Sequence, residues 1–184
     1  MLIELDPVDR ITAGATGPPG DRTFYLQARK GDQVVTLILE KQQVQLLAAS
    51  VVEILARVGK ETGKGLPEEE MGLDEPLDAE WRAGKLSVGY HEEKDLILLE
   101  AEELLPDDEE ESEEGTEPSF VPDDAPEAGR VRFWATREQM LSLARHGALV
   151  CAAGRPLCPL CQNPLDPAGH RCPALNGHLG RDET

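Results

Sequence analysis

Three cysteines and a histidine fall within fifteen residues near the C-terminus: Cys158-Pro-Leu-Cys161, then Gly169-His170-Arg171-Cys172. Thiolate sulfur and imidazole nitrogen are ligands of tetrahedral metal sites, and a C-x2-C turn lets two thiolates converge on one ion. Asn163-Pro164 and Asp166-Pro167-Ala168-Gly169 are turn sequences that would carry the chain back to that ion. His170 and Cys172 stand two apart, so they share a face only where the backbone is extended or turned. The spacing predicts a structural zinc ion at Cys158, Cys161, His170 and Cys172. A closed Cys3His set leaves no position for a reacting water, so its expected role is to hold short loops together. The alternative chemistry is a disulfide, since four cysteines permit three pairings. Cys151 and His178 flank the set as spare donors. Cys151 lies in the apolar stretch 148–153, where a buried, inert thiol is expected.

Other candidate groups are more scattered. Asp9, Arg10, Arg22, Glu40 and Lys41 are polar residues near expected strand ends, and their convergence in one pocket would indicate an enzyme. Ordinary surface charges and ion pairs are the plainer expectation for them. The turn cluster Thr16-Gly-Pro-Pro-Gly-Asp21, with Arg10 and Arg22 nearby, could in principle cradle an anion. Pro18 and Pro19 lack the N–H groups a phosphate loop uses, which favours a plain turn. Thr62-Gly-Lys-Gly65 lacks the glycine spacing and the hydroxyl residue of a nucleotide loop. His91, alone in a hairpin turn, is expected to be a surface histidine.

The elements that must position these groups are set by periodicity. Residues 8–15, 23–29 and 34–40 are predicted strands, the last two joined by Lys30-Gly31-Asp32 as a hairpin. From Lys41 the apolar residues Val44, Leu47, Ala48, Val51, Ile54, Leu55 and Val58 recur at three and four. That spacing marks an amphipathic helix ending at Gly59. After a loop over 60–78, strands are predicted at 79–90, with Gly84 and Gly89 as bulges, at 96–102 and at 130–135. A second helix starts from Thr136 as N-cap, interrupted at Arg145-His146-Gly147 and ended by Gly154. The expected class is α+β: antiparallel sheet built as β-β-β-α twice, with a small C-terminal zinc-binding ribbon or knuckle. Glu40-Lys-Gln-Gln-Val44 and Arg137-Glu-Gln-Met140, opening the two helices, fit a degenerate internal duplication. The domain is expected to span 1–154 and the metal tail 155–184.

The chain has 184 residues and a net charge of −18, but the excess is local. Residues 100–127 hold fourteen acids and no Lys or Arg, and the remainder carries 22 acids against 18 bases. The acidic segment 104–127 is expected to be a disordered insertion within the domain. Neither the acidic balance nor the tail, with three Arg against three acids, suits nucleic acid or an anionic membrane. No apolar run could span a bilayer, and no basic-then-apolar leader opens the sequence, so a soluble cytoplasmic protein is expected.

Several stretches together resemble a bacterial, chiefly actinobacterial, family of uncharacterised proteins. They are Asp6-Pro7 with Asp9-Arg10, then Gly14 to Gly20 leading into Arg22-Thr-Phe-Tyr-Leu-Gln-Ala28, Leu39-Glu-Lys-Gln-Gln-Val44, and Phe133 with the second helix. The most specific are Ala153-Gly-Arg-Pro-Leu-Cys158-Pro-Leu-Cys161 and Gly169-His170-Arg171-Cys172-Pro. The resemblance covers nearly the whole chain outside the 60–75 loop and the acidic insertion. In that family the residue after the second cysteine is commonly Gly; here it is Gln162, a change to the knuckle's backbone and not to its ligands. The resemblance implies the fold and the metal site and assigns no catalytic residue.

Three functional readings remain. A non-enzymatic binding or adaptor protein with structural zinc and protein partners fits the closed donor set best. An enzyme would use the polar residues of the sheet domain. A redox sensor would use Cys151 beside the cluster.

Overall fold

The alternating run Thr23–Lys30 becomes a strand, β3, paired antiparallel with β2 (Arg10–Thr16) on one side and β4 (Gln33–Leu39) on the other. The structure is a computed structural model, and it describes residues 1–106, 127–165 and 169–175. Helix α1 (Lys41–Val58) comes after β4. Strands β5 (Ala79–His91), β6 (Leu96–Glu103) and β7 (Arg130–Ala135) then form a second antiparallel set, succeeded by α2 (Arg137–Ala152). A further short strand, β1 (Leu2–Leu5), precedes everything and was not expected from the sequence. Most of the acidic insertion (107–126), the turn at 166–168 and His178 lie outside the described residues.

All seven strands form one sheet, in the order β1-β7-β6-β5-β4-β3-β2. The class is α+β, with the expected β-β-β-α order in the second half and one more strand, β1, ahead of it in the first, and the sheet is mixed rather than antiparallel throughout. β4 pairs with β5 in parallel, and so does β1 with β7. Parallel neighbours need a long crossover, and α1 with the 60–78 loop supplies it between β4 and β5. The two ends of the strand order are consecutive in sequence. Across the short link, Val8 N donates to Trp134 O (2.8 Å) on β7, and Asp9 N donates to Arg29 O (2.8 Å) on β3.

One face of the sheet is apolar and carries the helices. Ile11, Ala28 and Val35 form one buried row; Ala13, Leu26 and Leu37 form the next. Ile97, Leu99, Val131 and Phe133 continue this face in the second half and join one core with Val44 and Val51 of α1 and Met140 and Leu143 of α2. Each such side chain contributes roughly 1.5–3 kcal/mol on burial. Helix α2 runs unbroken through Arg145-His146-Gly147, contrary to the interruption expected there. A Cβ at position 147 would stand 3.2 Å from Val44 Cγ1, so the glycine is there to let α1 and α2 approach. The helix ends at Ala152 with Ala153 as its cap, one residue before the expected terminator. The bulge expected at Gly84 is present, as a register shift between Ala83 and Lys85, whereas Gly89 pairs regularly with Leu98.

The centre of the other face of β2–β4 is buried too, and it is polar. Thr12, Gln27 and Thr36 stand side by side in register, each almost wholly inaccessible. The 60–78 loop seals them. Gln27 Nε2 donates to Thr36 Oγ1 (3.0 Å) and Asp74 O (2.9 Å), while Gln27 Oε1 accepts from Asp74 N (2.7 Å). Arg10 binds the same loop at Glu70 O, Gly72 O and the Asp74 carboxylate. A second clamp joins the β5–β6 turn to the loop after α1 and to the start of α2: Asp95 accepts from Tyr90 Oη (2.6 Å), from Arg137 and from Lys60.

Each clamp has a measurable signature. Gln27→Ala should destabilise the fold by about 1–3 kcal/mol, because buried donors and acceptors lose their partners; urea unfolding would measure it. The Tyr90 hydroxyl, then the Arg137 guanidinium, hold the Asp95 carboxyl down to about 2 from an ordinary 3.8. A depressed native pKa contributes stability that is present above pH 3.8 and lost as the pH falls through about 2. The stability gap between the wild type and Asp95→Asn should therefore narrow across that window. A gap independent of pH there would refute the assignment.

Candidate metal centre

The tail after α2 folds back on itself with very little backbone pairing. Leu157 and Pro164 form an isolated antiparallel bridge; Cys158 N donates to Asn163 O (2.8 Å), and Leu165 N donates to Pro156 O (2.8 Å). Inside this small hairpin, Gln162 N donates to Cys158 O (2.9 Å), closing the C-x2-C turn. The turn places Gln162 in the left-handed region, at φ 60°. That is a conformation glycine adopts freely and other residues at a cost. Gln162 therefore sits where the backbone itself favours glycine.

Cys158, Cys161, His170 and Cys172 come together, with all four ligand atoms within 4.8 Å of one another. This group could hold a metal ion. Cys158 Sγ and Cys172 Sγ are 3.8 Å apart, and Cys161 Sγ lies 3.1 Å from His170 Nε2. With metal–sulfur bonds of about 2.3 Å, a tetrahedral ion separates its sulfurs by about 3.8 Å, so the first distance matches that edge. The sulfurs are far beyond the ~2.05 Å of a disulfide, and all four cysteines are free. The backbone N–H groups of Cys161 and Leu160 point at Cys158 and pull its thiol down to about 6. Cys161 is pushed up, first by burial, with the Cys158 sulfur adding to the effect. One thiolate is thus prepared by the knuckle's own backbone.

Cys151 is not part of the group. It is buried on α2 with its Sγ 3.8 Å from Lys41 O, and burial raises its thiol.

The five polar residues of the sheet domain do not converge. Asp9 accepts from Gly31 N (2.7 Å) in the β3–β4 turn, and Arg10 is taken up by the 60–78 loop. Glu40 caps α1 and pairs with Arg82. Arg22 donates to Val150 O (2.9 Å) at the end of α2 and lies over the Phe24 ring. Only Arg22 and Lys41 share a cleft, and they share it with Arg155, which sequence reasoning did not single out. His91 packs edge-on against Trp134, with ring centroids 5.3 Å apart.

The fold and site together define a mixed-sheet α+β protein with a Cys3His tail suited to a metal. The chain belongs to the family described as Protein of unknown function (DUF3090), whose model matches residues 3–172. No curated protein and no solved structure matches it.

Gln162→Gly should keep or tighten metal binding, because glycine is free of the left-handed strain that Gln162 bears. Gln162→Val, a β-branched residue that is worse still at positive φ, should weaken metal binding relative to wild type. Competition with a chromophoric chelator would measure both.

Proposed function

We propose that the protein is a zinc-stabilised binding protein in which Cys158, Cys161, His170 and Cys172 hold one structural Zn2+. The observation that carries this reading is the convergence of three thiols and one imidazole within 4.8 Å. Thiolate-rich tetrahedral donor sets favour zinc over oxygen-loving ions, and a set of four protein ligands leaves no open position for catalysis. The scatter of Asp9, Arg10 and Glu40 over separate structural tasks supports a binding role over an enzymatic one. The raised thiol of Cys151 and its separation from the cluster speak against a redox sensor.

Free thiols in such a set suit a reducing compartment, which supports the cytoplasm as its place of work. No helix among the described residues is long and apolar enough to cross a membrane. The partner most consistent with a strongly acidic chain is another protein rather than a nucleic acid.

The test is metal content by mass spectrometry on protein purified without added zinc. One zinc per chain is expected, lost in Cys158→Ser and His170→Ala and retained in Cys151→Ser and His178→Ala. No metal in the wild type, or full metal in His170→Ala, would refute the site.

A further inference from the structure

We propose that the cleft between the β2–β3 turn, the start of α1 and the Cys/His tail is a binding site for the phosphate group of a small soluble ligand. The cleft has a volume of about 200 Å³ and brings together Arg22, Lys41 and Arg155. Three cations converge at one place, and among the described residues no Asp or Glu lines it. Among the described residues, neither Arg22 nor Lys41 is in a salt bridge with a carboxylate. Arg22 is held in place through Val150 O and the Phe24 ring, 5.5 Å from its guanidinium carbon.

Two glycines keep the cleft open. Gly20 has φ +95°, and a Cβ there would stand 3.3 Å from Arg155 Cδ and Nε. A Cβ at Gly154 would stand 3.2 Å from Lys41 Nζ. Both long cationic side chains thus lie directly against bare backbone, and a Cβ at either position would make them give way by a few tenths of an ångström. The turn that carries Gly20 contributes through its lack of bulk rather than through N–H groups, which Pro18 and Pro19 cannot offer.

Charge and size select the ligand. A phosphate monoester carries about −1.5 to −2 at neutral pH and matches a cluster of cations better than a single carboxylate does. Guanidinium groups bind its oxygens two at a time. The volume is below the ~300 Å³ where pockets for drug-sized ligands begin, so it suits the phosphate and a few attached atoms. Phe24, Leu157 and Pro164 offer an apolar ledge for the atoms next to the phosphate. The acidic segment 100–127, where the net negative charge is concentrated, disfavours polyanions and anionic bilayers, which favours a small soluble molecule.

The proposal rests on the metal reading for one wall only, because Leu157 and Pro164 belong to the knuckle. The full chain, with its metal content measured in the same sample, should be titrated with inorganic phosphate at constant ionic strength. Backbone amide shifts and calorimetry would be the readouts. Saturable shifts at Gly20 and Gly154 are expected, with affinity reduced about tenfold or more in Lys41→Gln and in Arg155→Gln and unchanged in Lys85→Gln. An absence of saturable binding to metal-loaded protein overturns the anion site and leaves the metal reading standing. Phosphate binding by protein that purifies without metal overturns the zinc reading alone. Binding that survives both Lys41→Gln and Arg155→Gln overturns the assignment to this cleft. Phosphatidic-acid vesicles should not sediment the protein; if they do, the soluble-ligand assignment fails.

Discussion

The middle of the first half of the sheet is buried on both faces, and only one of those buried faces is apolar. Everything around the second face is dictated by the need to satisfy Thr12, Gln27 and Thr36 without water. Gln27 meets that need by treating the loop as one more strand, accepting from Asp74 N and donating to Asp74 O. Arg10 and Arg29 converge on the Asp74 carboxylate from the edge of the same face. A loop rich in charge and glycine is thereby fixed over the sheet, with Met71 driven into the gap beneath it. The same arrangement explains why Arg10 is unavailable for chemistry: its three nitrogens already serve three loop acceptors.

A second regularity runs through the fold. Each helix opens with a reciprocal capping box that uses Gln at its third position, Gln43 after Glu40 and Gln139 after Thr136. Each glutamine also directs its amide nitrogen to a pair of consecutive carbonyls. For Gln43 these are Ala83 and Gly84, at the bulge of β5; for Gln139 they are Val8 and Asp9, between β1 and β2. The first part of β5 pairs in parallel with β4, just as β1 pairs in parallel with β7. The unexpected first strand thus has a counterpart: β1 and β2 together correspond to β5, broken by a link in one half and by a bulge in the other. The two halves share these equivalent hydrogen bonds although their sequences differ.

What could be read from the chain alone tracks the range of the interactions. The helices, the hairpins and the Cys/His group are announced by residues close in sequence, and they stand close to where periodicity and spacing put them. β1 offers four residues and no adjacent turn, and its only partner in the sheet lies more than a hundred residues away. The parallel pairing of β4 with β5 has no local signature either, since its crossover contains a loop of mixed composition. Arg10 and Asp74 are separated by 64 positions, so Arg10 could be recognised as unusual but not assigned. His146 and Gly147 resemble a helix break in isolation, and only the proximity of Val44 reveals why glycine is needed inside an unbroken helix. Arg155 carries no signal until the tail folds back beside Lys41.

The tail has an interior of a different kind. Among the described residues beyond Cys151, only Cys158 and Cys172 are buried, while Leu157 and Leu160 are more than half exposed. Ordering a residue costs roughly 1–2 kcal/mol of backbone entropy, and hydrophobic burial of this size cannot offset that over the tail. The few backbone hydrogen bonds of the hairpin contribute only about 1 kcal/mol each. The remaining source of order is the ligand set itself, since metal binding in small folds doubles as folding energy. The buried side chains of the tail are candidate ligands rather than leucines. With a metal bound, that inversion of the usual core would place the stability of the knuckle, and with it the position of Leu157 and Pro164 at the neighbouring cleft, under the control of the ion.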